Sequence, residues 1–270
     1  MIKFAYSTDI HMTTIPIPQL RVPWIFFDLD DTIWNFSQNS TLSLAKLYEI
    51  SPILRKLFRN PREFIEIYHV HNANLWNLFS KGEVSTKQLK VERWRRTLAT
   101  RQFEVLTAVC EELDSTYLDI LAKSTLPVEG AHDLLSQLQK RAMIAVISNG
   151  FSDTQYKKIT YSGLWKFITR VVVSEELGIN KPNRAIFDYA LAETGATGSH
   201  LYVGDHPETD ILGAMKAGWH TIWINHKAEN FPLTDAELIR QGIDPALMLA
   251  EVSSLKQAYP AINSYLNSLR

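Results

Sequence analysis

Five short apolar runs, separated by stretches with helical periodicity, constrain this chain more than any other feature. They span residues 24–27, 142–147, 169–173, 201–203 and 221–224 and are rich in β-branched or aromatic residues. Runs of that length without polar alternation suit strands buried on both faces, and helices between them make the sheet parallel. The alternation predicts an α/β protein with a Rossmann-like parallel sheet. Local signals agree: Ser152 with Gln155 reads as a capping box, Pro182 as a first helical residue, and Gly195 and Gly218 as helix stops.

Between Ser37 and Thr125 the strand-like runs disappear. Phe64, Tyr68, His71, Leu75 and Leu78 fall on one helical face. Lys81-Gly82-Glu83-Val84 breaks the helices, and Ser85 with Gln88 starts the next one as a capping box. The expected organisation is a discontinuous core of residues 22–36 and 126–270, an inserted all-helical domain of residues 37–125, and an N-terminal extension of residues 1–21. Trp76 and Trp94 read as helix-packing residues inside the insert. The tail from Asn225 to Arg270 reads as mixed sequence on the edge of the core.

Composition excludes several classes of partner. Lys and Arg number 28 against 29 Asp and Glu, a formal charge of -1 that provides no basic field for a polymeric nucleic acid. Cys110 is the single cysteine, so the chain has no internal disulfide or cysteine metal cluster; it reads as a small buried helix residue in a reducing compartment. No apolar run approaches the roughly 20 residues of a membrane span, and the first residues lack the apolar stretch of a signal peptide. A cytoplasmic protein with no membrane partner is expected.

The chemistry gathers at the run ends. Asp28-Leu29-Asp30-Asp31-Thr32 follows the first run, at the carboxyl end of a parallel strand, where open α/β sheets bind ligands. Turn formation or helix capping accounts for one or two of these aspartates, but not for two on alternate residues facing one crevice. Like charges at about 4 Å repel by roughly 4 kcal/mol at an effective dielectric of 20, so the cluster needs a cation or a shared proton. A second acidic stretch, Gly204-Asp205-His206-Pro207-Glu208-Thr209-Asp210, follows another run. Hard oxygen donors with few histidines favour Mg²⁺ over zinc or copper. Ser148-Asn149-Gly150 and Lys181-Pro182 supply a hydroxyl, free amides and an ammonium, which suit a phosphate dianion. Each piece alone is weak, but four at successive run ends are much more specific.

These segments resemble the motifs of the haloacid-dehalogenase (HAD) superfamily. Phe26-Phe27-Asp28-Leu29-Asp30-Asp31-Thr32 is similar to its first motif, an apolar strand followed by D-x-D-x-T, and Val146-Ile147-Ser148-Asn149-Gly150 to its second. Lys181 in Gly178-Ile179-Asn180-Lys181-Pro182 matches the third-motif lysine, and Gly204-Asp205 through Asp210 matches G-D-x-x-x-x-D. The helical insert sits where that family places its cap. Asp30 occupies the position that sorts the superfamily's chemistry, and an aspartate there implies a phosphatase or phosphomutase.

A closer resemblance is to the bacterial pyrimidine 5′-nucleotidase-like phosphatases. It is carried by the segment from Phe27 to Ile33-Trp34-Asn35-Phe36, by Leu75-Trp76 before Lys81-Gly82, and by Ser148-Asn149-Gly150-Phe151 with Thr154-Gln155-Tyr156. His206-Pro207-Glu208 departs from the small residues common there.

The resemblance implies that Asp28 attacks phosphorus, and that Asp30 protonates the leaving alkoxide and then takes a proton from water. It implies Mg²⁺ held by Asp28, the backbone carbonyl of Asp30 and Asp205, with Asp210 acting through water or behind the ligands. Ser148, Lys181 and the amides around Leu29, Asn149 and Gly150 would bind the phosphate, with Thr32 orienting the loop. The expected substrate is a nucleoside 5′-monophosphate, with the Lys81-Gly82-Glu83-Val84 turn near the leaving group and Trp34 and Phe36 packing the hinge. Two rivals share the motifs: a sugar-phosphate or phosphoglycolate-type phosphatase, and a non-catalytic binding protein on the same fold.

Overall fold

The computed structural model describes residues 22–269, which form two compact units, residues 22–35 with 127–269 and Phe36–Leu126. The N-terminal extension of residues 1–21 lies outside the described residues.

The first unit is built on six parallel strands: β1 (Trp24–Phe27), β2 (Met143–Ser148), β3 (Arg170–Val173), β4 (Leu201–Gly204), β5 (His220–Ile224) and β6 (Met248–Val252), in the spatial order β3-β2-β1-β4-β5-β6. The expected Rossmann-like α/β sheet is present. All four residues of β1 are buried, as a strand between two neighbours and two covering layers requires. On one face Trp24, Phe26, Ile147, Tyr202 and Trp219 pack with Ile186 and Phe187 of the helix Arg184–Thr194. The Phe26 and Trp219 rings lie 4.6 Å apart, and such large side chains contribute about 2–3 kcal/mol each on burial.

The strand order reverses direction at β1, with β2 on one side and β4 on the other. Phe27 is in register with Val146 and Val203, so the carboxyl ends of these three strands lie side by side. That is the switch point of an open sheet, where a crevice forms.

Two local expectations need correction, and one is filled out. The tail does lie on the edge of the core, where β6 adds a sixth strand and the helix Leu255–Ser268 buries Leu255, Ala258, Ile262, Tyr265 and Leu266. Its residues alternate between partly buried and exposed, so no continuous apolar run marks this edge strand. Pro182 does not open a helix: Asn183 caps the helix Arg184–Thr194 by accepting from the Ala185 amide at 3.0 Å. Ser152 and Gln155 do not form a capping box either. Phe151 holds the cap position of the helix Ser152–Tyr161, while the Ser152 amide donates to Glu175 and its hydroxyl to Glu176. Gly195, with φ 64, and Gly218, with φ 85, do stop helices, since left-handed backbone suits a residue without Cβ.

The second unit is helical throughout: Phe36–Ile50, Pro52–Leu57, Pro61–Ser80, Thr86–Ala99 and Thr107–Ala122. Gly82, with φ 75, turns the chain between the third and fourth helices, and the Ser85 and Gln88 capping box is present. The buried face of Pro61–Ser80 consists of Phe64, Tyr68, Asn72, Leu75 and Phe79, while His71 and Leu78 are only half-buried beside it. Asn72 is drawn inward because it accepts from Arg93, whose guanidinium pairs with the buried Asp114 at 2.6 Å. Trp94 donates to the same carboxylate and packs on Tyr68, while Trp76 packs edge-on against Phe79. Cys110 is buried in Thr107–Ala122. Among the described residues, no helix is long and apolar enough to cross a membrane.

Candidate active site

Asp28 is the first residue past β1, and its amide continues the ladder by donating to the Val203 carbonyl at 2.9 Å. Asp28, Asp205 and Asp210 each present a carboxylate oxygen within 4.8 Å of the others. Asp205 directly follows β4. Asp210 is carried back by a π-wound turn, Pro207–Leu212, capped by His206, whose Nδ1 accepts from the amides of Glu208 and Thr209. The His206 amide in turn donates to Asp210 at 3.0 Å, so the stretch that departs from the usual small residues aims this carboxylate. Gly204 makes the approach possible, because a Cβ there would lie 2.5 Å from the Cβ of Asp210.

Lys181 reaches the same place from the loop after β3. Its buried ammonium donates to Asp28 at 2.5 Å, to Asp210 at 2.7 Å and to the Tyr202 hydroxyl at 2.9 Å, which uses all three of its protons. Burial disfavours this charge, yet Asp210 and Asp28 outweigh it and hold the ammonium well above the usual lysine value. Asp28 is pushed up to about 7, mostly by burial and further by Asp210 and Asp30, against the pull of Lys181. Burial, then Asp210 and Asp28, push the partly exposed Asp205 well above the usual carboxylate range. The carboxylates outnumber the lysine that faces them, and a divalent cation suits that residual repulsion.

Asp30 and Ser148 form an adjoining cluster. Lys158 donates to both Asp30 oxygens, at 2.8 and 3.0 Å, and its ammonium lies 4.6 Å from the centre of the Trp34 ring. Gln155 donates to Asp30 at 2.8 Å and to the Ser148 hydroxyl at 2.5 Å. Ser148 also accepts from the Gly150 amide, at 3.3 Å. Asn149 turns its side chain to the loop of Lys181: the Asn149 amide donates to the Lys181 carbonyl at 2.9 Å and its oxygen accepts from the Lys181 amide at 2.8 Å. Leu29 accepts at its carbonyl from the amides of Ile33 and Trp34, which winds the loop after β1, and Asp31 takes a left-handed φ of 57 within it. Thr32 is fully buried, as is Trp34.

Sequence reasoning missed Gln155, Lys158 and Tyr202. Buried residues of the helix Ser152–Tyr161 are Thr154, Gln155, Lys158 and Ile159, so its inward face is largely polar. That face carried a readable signal: a helix between two buried strands has to cover the sheet, yet polar residues stand where apolar ones are expected. Tyr202 left none, because a tyrosine within a buried strand reads as packing.

Fold and site together define a Rossmann-like hydrolase built around clustered aspartates. Residues 25–224 match the family model of haloacid dehalogenase-like hydrolases, and the chain belongs to this family. It is 31% identical over 240 residues to the pyrimidine 5′-nucleotidase YjjG of Escherichia coli, covering 88% of this chain and 98% of that one. It is 26% identical to the pyrimidine 5′-nucleotidase PynA of Streptococcus pneumoniae, over 77% of this chain and 86% of the relative. Among solved structures it is similar to the putative HAD-hydrolase YfnB of Bacillus subtilis bound to magnesium, at 27% identity and a TM-score of 0.73, covering 90% of this chain and 99% of that one. Within the family the chain is a phosphoric monoester hydrolase.

Proposed function

We propose that this enzyme hydrolyses nucleoside 5′-monophosphates through an aspartyl phosphate on Asp28, with Mg²⁺ as its metal. The observation that carries the reading is the placement of Asp28: buried at the switch point, beside Lys181, Asp205 and Asp210, with Asp30 two residues on in a separate hydrogen-bond set. The Asp28 carboxylate attacks phosphorus, the bond to the ester oxygen breaks, and the proton of Asp30 goes to the departing alkoxide. Water then attacks phosphorus and gives a proton to Asp30, which frees inorganic phosphate and restores Asp28. Two displacements replace one slow reaction.

The residues present suit a hard divalent cation: three carboxylates converge, and among the described residues no softer donor joins the group. Asp28, Asp205 and the Asp30 carbonyl would hold it, with Asp210 behind them. When bound, it offsets repulsion between carboxylate and phosphate. Ser148, Lys181 and the amides of Leu29, Asn149 and Gly150 bind the phosphoryl oxygens, and Thr32 steadies the loop. The helical unit serves as the cap that selects the leaving group. The lone buried cysteine suits a reducing cytoplasm.

The nucleotide assignment rests on the likeness to two pyrimidine 5′-nucleotidases. A panel of nucleoside monophosphates, sugar phosphates and phosphoglycolate, assayed with Mg²⁺ and with chelator, tests it. Pyrimidine nucleotides are expected to give the highest kcat/KM, with turnover lost to chelator. A preference for sugar phosphates overturns the substrate, and activity indifferent to chelator overturns the metal.

A further inference from the structure

We propose that Gln155 and Lys158 are positioning residues for the chemistry, one fixing the direction of the Ser148 hydroxyl and both fixing the Asp30 carboxyl. The inference rests on reading Asp30 as the acid and base of the reaction. Gln155 and Lys158 are three residues apart, hence neighbours on one helical face, and are 0% and 3% exposed.

A buried lysine is costly unless its charge is paired. Here the ammonium spans both Asp30 oxygens and rests on the face of Trp34, so one side chain fixes the carboxyl in distance and in plane. Asp30 keeps 28% of its side chain exposed, which leaves it an open side.

Gln155 has less freedom still. One Nε2 hydrogen goes to Asp30 and the other to Ser148. The reversed amide would set its oxygen against a carboxylate, so the orientation is dictated by charge. Its Oε1 is buried and has no hydrogen-bond partner among the described residues, a cost that the two donated bonds must offset. Gly150 admits this amide, because a Cβ there would run into the Gln155 side chain.

The consequence falls on Ser148. Its oxygen accepts from both Gln155 and Gly150, so both lone pairs are occupied and its own hydrogen is presented as a donor. A donor is what a phosphoryl oxygen needs. One amide thus couples the group that grips phosphate to the group that moves the proton.

A merely structural pair would be indifferent to the leaving group, whereas an acid-positioning pair is not. An alkoxide needs a proton as it leaves and a nitrophenolate does not. The test is first-turnover phosphoryl transfer, by rapid quench with Mg²⁺, on a nucleoside 5′-monophosphate and on p-nitrophenyl phosphate. Lys158→Met and Gln155→Leu should lower the nucleotide rate at least about tenfold more than the aryl rate, with KM changed less than about threefold. Lys158→Arg, which keeps charge and donors, should restore most of the lost ratio. Because both rates come from one preparation, their ratio is independent of the fraction folded. Equal losses on the two esters, or no loss, overturn the inference while leaving the function standing. A natural-sequence enzyme that hydrolyses neither ester overturns both.

Discussion

Lys181 is the residue on which the acid cluster depends, since its three bonds hold Asp28 and Asp210 together and tie them to Tyr202. Removing one partner of a buried ion pair leaves an uncompensated charge, at about 3–5 kcal/mol. Lys181→Met should therefore abolish turnover and lower the denaturant midpoint of metal-free protein, by about that amount of stability at an unchanged slope. An equally stable variant would show that Asp28 and Asp210 need no pairing. Asp28, Asp30, Asp205 and Asp210 were legible because carboxylates at the ends of apolar runs have no packing explanation. Gln155 and Lys158 left only an indirect trace, the shortage of apolar residues on a helix that has to cover the sheet, because a polar residue in a helix looks the same in sequence whether it faces water or a buried carboxylate. Burial decided, and burial is a property of the assembled sheet.

At the scale of elements the sequence S-x-x-Q shows how context rules. Ser85 and Gln88 cap the helix Thr86–Ala99 reciprocally, whereas Ser152 and Gln155 are claimed by Glu175, Glu176, Asp30 and Ser148. Stronger acceptors outside the helix won, since a carboxylate binds an amide better than a hydroxyl does. Ser85→Ala should cost about 1 kcal/mol in chemical denaturation, and Ser152→Ala should disturb no capping box. The buried Arg93 and Asp114 pair gives the helical unit its own test. Arg93→Met should destabilise it by about 3–5 kcal/mol, read as a lowered unfolding midpoint, while Arg62→Met on the surface should leave the midpoint nearly unchanged. The inner strands β1, β2, β4 and β5 were readable for the converse reason, since burial on both faces leaves little room for polar residues, and the edge strand β3 was readable from its unbroken valine run. Strand β6 escaped because an edge strand needs only every second residue inward.

For the whole molecule, the crowding of carboxylates links stability to pH and to metal. Asp28 binds its proton more tightly in the folded chain than in the unfolded one, and so does Asp205. The folded state therefore holds more protons, and stability of the metal-free protein should fall as pH rises between 3.8 and about 7. Chelated protein should accordingly melt lower at about pH 8 than at about pH 5.5. Added Mg²⁺ should raise the melting temperature more at the higher pH, where it replaces the missing protons. A shift independent of pH would mean the cation binds elsewhere. In the proposed mechanism, turnover depends on the sheet delivering one carboxylate to phosphorus. The most direct measurement is acid quench of the enzyme during steady turnover, followed by borohydride reduction of any acyl phosphate and mass spectrometry of the peptides. Reduction is expected at Asp28, with none in Asp28→Asn. An enzyme turning over with Asp28 unmodified, or Asp28→Asn retaining substantial activity, would contradict the account.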